Sequence, residues 1–277
     1  MSVADLARAA ETFAARHRDG PILVLPNAFD VATARLIARH GPVAIGTTSA
    51  AISAILGYPD NEVIDRDEML AAIDRMVRAV DIGISADVEA GYGDDVDDVR
   101  VVVERLLEIG VVGVNLQDTG HPGGRWAGGL LPVERASEKI AAARAAAERA
   151  GVPLVINART DTFLEDGDPV ASAIARGNAY LAVGATCVFT PGITDREGLA
   201  ALVAGLDGPL NAYAVAGTPT VTELEAIGVR RVSVGCGPYQ ACLALVERAT
   251  RQLLEDGRYS AFTEEQLTLS EMTALVE

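Results

Sequence analysis

Two carboxylates stand two residues apart in the segment Ser85–Gly93, which reads SADVEAGYG. Alternate residues of a strand share one face, so Asp87 and Glu89 are predicted to point the same way. Like charges placed so close repel each other unless a cation or a proton lies between them. A divalent ion held by oxygen ligands and water meets this need, and Mg²⁺ or Mn²⁺ is expected. The alternative is that one carboxylate pairs with an arginine and the other caps the next helix.

A guanidinium group follows in the segment Ile156–Asp161, which reads INARTD. Asn157, Arg159 and Asp161 share a strand face, so Arg159 is predicted near the metal, with a fork geometry that suits a carboxylate or a phosphate. An internal salt bridge of Arg159 with Asp161 or Asp87 is the other interpretation. The two are compatible, because an arginine oriented by a carboxylate is a better anion receptor.

Further polar groups stand at the ends of other apolar segments. Thr47, Thr48 and Ser49 form either an anion nest for a substrate carboxylate or a simple turn. Gln117 is able to hold a metal-bound water. Asn211 is placed with the substrate-binding residues, and the Gly235–Gly237 turn resembles the phosphate site of many barrels, although glycines alone are a weak signal.

Eight short apolar segments must position these groups, and amphipathic helical stretches separate them. Continuous apolar runs of this kind are typical of strands buried on both faces. We therefore predict a single-domain α/β protein, a (β/α)8 barrel of the TIM type at about 20–255, with a helix near 3–18 before it and a helical tail at 256–277. The predicted strands are Ile22–Pro26, Val43–Thr47, Ile84–Glu89, Val111–Leu116, Leu154–Ala158, Cys187–Thr190, Leu210–Ala214 and Arg231–Val234.

The formal charge of −16 argues against nucleic-acid and anionic-membrane partners, whose charges would be repelled. Lys139 is the only lysine of the 277 residues and sits in a helical stretch, expected away from any strand end, so a Schiff-base aldolase is excluded. No Ser-His-Asp set is apparent, because among the histidines only His121 falls in a loop at the expected catalytic face. A small anionic substrate is the expected partner.

The composition also bears on location. The apolar stretches are far shorter than a membrane span, and the first twenty residues contain no hydrophobic signal core. Cys187, Cys236 and Cys242 show neither a disulfide framework nor the spacing of a zinc site. A cytoplasmic protein is expected.

Five segments together are specific enough to indicate a family: Asn27–Asp30, Gly57–Asp60, Asp87–Gly93, Asn115–Asp118 and Asn157–Asp161. In this order and spacing they resemble the isocitrate lyase/phosphoenolpyruvate mutase superfamily along nearly the whole barrel. The resemblance implies Mg²⁺-dependent enzymes that cleave or form C–C or P–C bonds in 2-oxo acids or their precursors. It implies a metal site at Asp87 and Glu89, helped through water by Asp60 and Gln117. It implies a substrate site at Thr47, Thr48, Ser49 and Arg159.

The departures from that family fall in the loop after the fourth predicted strand. Isocitrate and methylisocitrate lyases carry a lysine-cysteine-glycine-histidine signature there, whereas this loop reads TGHPGGRW over residues 119–126. The lysine of the mutases is missing as well, and Gln117 stands where an acidic residue is usual. The proton donor therefore stays open between His121, Tyr92 and Cys236.

The function predicted is a Mg²⁺-dependent carbon–carbon lyase acting on a small 2-oxo or hydroxy di- or tricarboxylic acid. The metal and Arg159 stabilise the enolate that forms as the bond breaks. One alternative is a P–C bond enzyme, a phosphonomutase or phosphonopyruvate hydrolase, in which the Gly235–Gly237 turn serves phosphate. The other is a barrel that binds a metal and a carboxylate with little turnover.

A helix is predicted over Pro238–Glu255, and both it and the tail carry apolar residues that the barrel leaves uncovered. The resemblance implies that family members exchange their last barrel helix between subunits. A homodimer or homotetramer with an exchanged C-terminal helix is expected. The apolar residues are Leu243, Leu245, Val246, Leu253, Leu254, Phe262, Leu267, Leu269 and Leu275.

Overall fold

A computed structural model describes residues 2–277, in which nine strands form one parallel sheet. The neighbours run in the order β1, β9, β8, β7, β6, β5, β4, β3, β2. The strands are β1 Leu23–Leu25, β2 Asn27–Ala28, β3 Ala44–Thr47, β4 Gly83–Asp87, β5 Gly113–Gln117, β6 Val155–Arg159, β7 Cys187–Phe189, β8 Leu210–Tyr213 and β9 Arg231–Ser233.

The sheet closes into a barrel because β1 and β2 are two pieces of one strand. Pro26 interrupts them, since it has no N–H to donate, but its carbonyl still accepts the N–H of Gly46 at 2.9 Å. β1 pairs with β9 and β2 pairs with β3, so the interrupted strand joins both ends of the sheet. The predicted (β/α)8 barrel is confirmed, and its extra short strand results from this break.

Helices follow the strands and cover the outside of the barrel. They are α1 Val3–Arg18, α2 Val31–Ala38, α3 Ser49–Leu56, α4 Arg66–Ala79, α5 Val96–Ile109, α6 Val133–Arg149, α7 Pro169–Ala182, α8 Arg196–Gly205, α9 Val221–Ile227, α10 Gly237–Asp256, α11 Ser260–Thr263 and α12 Leu269–Thr273. A short 3-10 helix spans Thr162–Leu164. None of the helices in residues 2–277 has the length and apolar character to cross a membrane.

The N-terminal helix α1, predicted near residues 3–18, closes the floor of the barrel. Phe13 is buried there, and a Cβ atom added to Gly113 at the start of β5 would lie 2.9 Å from the Phe13 ring. His17 is buried one turn later, with its Nδ1 at 3.0 Å from the carbonyl oxygen of Phe13. Burial, together with the charge of nearby Arg231, lowers the pKa of His17 to about 3. His17 is therefore neutral and buried where α1 plugs the barrel.

The C-terminal helices pack less completely than those around the barrel. Ala249 is the buried residue of the 20-residue helix α10, whose apolar side chains Leu243, Val246 and Leu254 are exposed. The end of the tail returns to the barrel, where Arg35 on α2 donates to the carbonyl of Leu275 at 2.9 Å. The limits of a single domain, with its tail at 256–277, stay a prediction.

Candidate active site

A polar cavity of about 170 Å³ opens at the carboxyl ends of the strands. Asp60, Asp87 and Arg159 line it together with Tyr213 and Cys236. This is the end of the barrel where active sites lie, and a volume this small suits a ligand of few atoms. A larger groove of about 570 Å³ lies between α10 and α11, far from these strand ends.

Asp87, at the end of β4, is held by hydrogen bonds on both carboxylate oxygens. Its Oδ1 accepts from Asn115 Nδ2 at 2.9 Å, and its Oδ2 accepts from Ser49 N at 3.1 Å and Ser49 Oγ at 2.8 Å. Thr47 Oγ1 accepts the N–H of Asp87, and Asn157 Nδ2 donates to Asn115 Oδ1. The predicted anion nest thus surrounds the carboxylate of Asp87 itself. Substrate contacts of Thr47, Thr48 and Ser49 stay predictions.

Glu89 lies beyond the strand, which ends at Asp87 and not at Glu89 as predicted. Its backbone is left-handed, with φ of 51°, so the side chain leaves the strand face. Oε2 accepts the N–H of Glu62 at 2.6 Å, whereas buried Oε1 has no partner in residues 2–277. Burial, then the charges of Asp60 and Asp87, raise the pKa of Glu89 to about 9. Among residues 2–277, no cationic side chain donates a hydrogen bond to the carboxylate of Glu89.

A divalent cation fits these residues. Desolvation at the cavity mouth also raises the pKa of Asp60, and Asp87 adds to the shift. Within the described part of the chain, no three His, Cys, Asp or Glu side chains form a ready metal cage. Mg²⁺ does not need one, because it keeps several waters and uses one or two carboxylates. Asp87 and Glu89, with Asp60 through water, are the residues that would hold it.

Gln117, at the end of β5, points to a neighbouring cavity. Its Nε2 donates to Thr119 Oγ1 at 2.6 Å, and it lines a space beneath the loop 120–129. The polar atoms of Asp87 and Arg159 belong to the central cavity instead. A role of Gln117 in holding metal-bound water stays a prediction.

Arg159 is the last residue of β6, and only part of its guanidinium group is hydrogen-bonded. Its Nε donates to Asp161 Oδ1 at 2.8 Å, while its two Nη groups have no hydrogen-bond partner among residues 2–277. Asp87 and Asp60 act on it electrostatically across the cavity. Both interpretations of Arg159 therefore hold in the geometry: Asp161 orients the guanidinium, and the free Nη groups remain available to an anion.

A buried network behind Arg159 was not foreseen from the sequence. Asp118 is 2 % exposed and accepts from Thr160 Oγ1, the N–H of Asp161, Tyr180 Oη and Arg176 Nη1, at 2.6, 3.1, 2.7 and 3.2 Å. Asp118 thus fixes the residue that orients Arg159. Asp118 and Thr160 stand in the recognised segments, but α7, which supplies Arg176 and Tyr180, carried no such signal.

The three residues left open as proton donors lie in different places. Cys236 lines the central cavity, with its Sγ at 3.7 Å from Tyr213 Oη, and burial raises the pKa of Tyr213 to about 12. The ring of His121 pairs with Glu62 outside that cavity. Tyr92 Oη is buried without a partner in the described chain, and burial raises its pKa.

The carboxylate of Asp94 holds the loop 120–129. The carboxylate of Asp94 accepts the N–H groups of His121 at 3.2 Å and Arg125 at 2.9 Å. Asp95 lies at the N-cap position of α5. The expected position of Lys139 is wrong: its Nζ donates to the carbonyl of Gly93, at 2.7 Å, in the loop after β4. Its amine is buried against backbone and does not line the central cavity.

The glycine turn before α10 offers little to a phosphate. The N–H groups of Val234 and Gly235 both donate to Asn27 Oδ1, at 3.0 and 2.9 Å. The N–H of Gly237 donates to the carbonyl of Val234. The N–H groups of Val234, Gly235 and Gly237 are therefore not free for a phosphate, and a phosphate role of this turn stays a prediction.

Comparison with known proteins decides the family. The model of the phosphoenolpyruvate phosphomutase family matches residues 13–254. The chain belongs to the isocitrate lyase/phosphoenolpyruvate mutase superfamily. The resemblance predicted from the five segments is confirmed.

Relatives in the superfamily cover most of the chain. An uncharacterized protein of Mycobacterium tuberculosis (strain ATCC 25618 / H37Rv) is 32% identical over 236 residues, 85% of this chain and 86% of that protein. Oxaloacetate decarboxylase 2 of Pseudomonas fluorescens (strain Pf0-1) is 33% identical, over 81% of this chain and 77% of the relative. A crystal structure of a candidate lyase/mutase from Burkholderia cenocepacia J2315 superposes with a TM-score of 0.90 at 34% identity, covering 98% and 97% of the chains.

The superfamily also sets the class of chemistry. Homologues in it are lyases or mutases, and its members are generally metal-dependent. The predictions of an enzyme of this superfamily and of a metal requirement are confirmed at that level.

Proposed function

We propose that the chain is a Mg²⁺-dependent carbon–carbon lyase that releases a small 2-oxo acid from a 2-oxo or hydroxy acid with at least two carboxylates. One observation carries the proposal: the fixed carboxylate of Asp87 and the free Nη groups of Arg159 line one cavity of about 170 Å³. The similarity to an oxaloacetate decarboxylase, which is named for such chemistry, supports it.

The residues of the cavity have two roles, which are to bind the acid and to hold the metal ion. Arg159, oriented by Asp161, binds the negative charge of the reacting acid. Ser49 and Asn115 fix the carboxylate of Asp87, which would hold the divalent ion. When bound, the divalent ion supplies Lewis-acid stabilisation of the oxygen that becomes negative.

A proton must complete the reaction. In a 2-oxo substrate, the electron pair of the breaking carbon–carbon bond moves towards the neighbouring carbonyl group, CO₂ leaves, and the enolate of a 2-oxo acid remains. In a hydroxy acid, the hydroxyl loses its proton as the bond breaks, its carbon becomes the carbonyl of the 2-oxo acid, and the electron pair stays on the carbon beside the carboxylate of the other fragment. That carbon then takes a proton, and Cys236 is the favoured donor because it lines the central cavity beside Tyr213. His121 and Tyr92 lie outside the cavity lining.

A carbon–phosphorus bond enzyme is the less favoured alternative. The N–H groups of the turn proposed for phosphate already bond to Asn27 and Val234. Phosphate release from phosphonopyruvate, without 2-oxo acid release from any carboxylic acid, would nevertheless select that alternative. Binding of a metal and a carboxylic acid, with neither phosphate nor a 2-oxo acid released from any compound tested, would select the barrel with little turnover.

The test of the lyase is Mg²⁺-dependent pyruvate or homologue release from oxaloacetate and branched malate-type acids. Arg159→Lys is expected to lower kcat/KM by roughly 10²–10³-fold, because a point charge cannot replace the oriented fork. Arg149→Lys is the matched control. Arg149, at the end of α6, forms an exposed ion pair with Glu104 on α5, so this variant should leave turnover unchanged. Equal turnover in wild type and Arg159→Lys would contradict the assignment.

We also propose that a second copy of the chain covers α10. Only Ala249 of this helix is buried, and Leu243, Val246 and Leu254 are exposed, which is costly for a monomer. The expected particle is a dimer or tetramer, measured by light scattering at micromolar concentration. Leu254→Glu, at the most exposed of these positions, should shift it towards monomer, while Glu255→Gln should not. A monomer near 28.8 kDa in the wild type would contradict the proposal.

A further inference from the structure

The floor of the central cavity contains a positive charge without a partner. Arg231, the first residue of β9, is 3 % exposed and lines the same cavity as Asp87 and Arg159. Its Nε and Nη1 atoms are fully buried, and its guanidinium donates no hydrogen bond within residues 2–277. Buried charges are normally paired and hydrogen-bonded, so folding alone gives no reason for this one.

A second unpartnered donor lines the same cavity. The Arg231 Cζ atom is 5.8 Å from the centre of the Phe13 ring, which plugs the barrel. A Cβ atom on Gly113 would lie 2.9 Å from that ring and 3.0 Å from Ser85 Oγ, so Ser85 also adjoins the plug. Ser85 lines the cavity, and its buried hydroxyl has no partner in the described residues. A guanidinium and a hydroxyl with unused donors thus line the same cavity, and both adjoin Phe13.

The nearest negative groups do not compensate Arg231. Asp87 acts on it only electrostatically and accepts no hydrogen bond from it. Cys187 is buried and burial raises its pKa to about 12, so it is a neutral thiol. Burial lowers the pKa of Arg231 to about 10, which still leaves it charged at neutral pH. No negative group among residues 2–277 therefore bonds to the Arg231 guanidinium.

We propose that Arg231, with Ser85, binds a substrate carboxylate at the cavity floor, so that the site is specific for dicarboxylates. The inference rests on the proposed function for the position of the reacting end, where Arg159 and the metal ligands lie. A guanidinium fork matches a carboxylate in shape and charge, and the hydroxyl adds a further donor. A monocarboxylate satisfies one end of the cavity and leaves Arg231 unpaired.

Binding of acids that cannot react tests this directly. Succinate and butyrate have four carbons each and differ in one carboxylate, and both are titrated calorimetrically with Mg²⁺ present. Wild type should bind succinate about 10–10²-fold more tightly, as expected for hydrogen bonds to a charged group. Arg231→Met should abolish this difference, and Arg231→Lys should keep part of it. Arg149→Met, on the surface, should change neither affinity.

Thermal stability separates this role from a structural one. Without ligand, Arg231→Met should melt at the wild-type temperature or a few degrees higher, because an apolar side chain of similar volume relieves an unpaired buried charge. Succinate should raise the Tm of wild type but not of Arg231→Met. A lower Tm of ligand-free Arg231→Met, with an unchanged preference for succinate, would overturn the inference. If that variant does not fold, Ser85→Ala should weaken succinate several-fold and butyrate hardly at all.

Two other occupants give different results. A free inorganic ion at the floor would let sodium chloride raise the Tm of wild type as much as succinate does, with no preference for succinate over butyrate. Water alone would give no preference and no shift with either salt. Both results overturn the proposal. None of these measurements uses turnover, so an Arg231-dependent preference for succinate in a protein inactive on every acid would count against the lyase alone.

Discussion

Replacing Asp87 by alanine is expected to weaken Mg²⁺ and Mn²⁺ binding by at least about 10²-fold and to abolish metal-dependent turnover. Asp87 is the carboxylate that Ser49 and Asn115 orient into the cavity, so its loss removes the best-fixed charge available to a cation. Calorimetric titration with MgCl₂ and MnCl₂ measures the affinity, and product release from the acid panel measures the turnover.

Asp95→Ala is the matched control for this experiment. Asp95 lies eight residues further along the same acidic stretch, at the N-cap position of α5, where its N–H donates to Asp98 Oδ2 and its exposed carboxylate pairs with Arg135. Its removal changes the net charge equally without touching the cavity, so metal affinity should stay within about 2-fold of wild type. Equal affinities of Asp87→Ala and wild type would show that the ion, if bound, lies elsewhere.

Asp118→Ala is expected to give the largest loss of stability, about 3–5 kcal/mol. The change leaves four donors without their acceptor, among them the buried guanidinium of Arg176. For a chain of this size the loss corresponds to a fall in Tm of roughly 6–20 °C. Differential scanning calorimetry at one fixed protein concentration measures it, because an oligomer melts in a concentration-dependent way.

Asp97→Ala provides the comparison for the stability measurement. Asp97 is an 82 % exposed carboxylate on α5 whose pair with Arg100 lies at the surface. Such pairs contribute little, so its Tm should stay within about 2 °C of wild type. A similar Tm for Asp118→Ala and Asp97→Ala would mean that the buried network is not needed for folding. Asp118→Ala should also loosen Arg159, since Asp118 accepts the N–H of Asp161.

The local hydrophobic pattern predicted the barrel, because each buried strand is recognised from a short apolar run without knowledge of residues far away in the sequence. Each end of a predicted strand lies within two residues of the observed end. The prediction was wrong where backbone conformation decides the end: β4 stops at Asp87 because Glu89 is left-handed. Pro26 likewise splits one strand into β1 and β2, which the run Ile22–Pro26 did not show.

Residue types and spacing predicted that Asp87 and Arg159 lie at one end of the barrel, and the family resemblance added Asp60. The carboxyl ends of parallel strands meet there, so residues distant in the chain share one cavity. The expectations against nucleic acid and against a Schiff-base amine rest on composition alone, since they depend on how many charges and lysines exist, and both stay predictions.

Tertiary structure decided which group each polar side chain contacts. Whether Ser49 N–H faces a substrate or Asp87, and whether Gly235 N–H is free or bonded to Asn27, depends on contacts between residues that lie 38 and 208 positions apart. The same holds for Arg231, which a sequence pattern presents as one of two adjacent arginines after α9. Only the closed barrel and its plug α1 show that one of them is buried without a partner, because burial and hydrogen-bond satisfaction are properties of the packed chain.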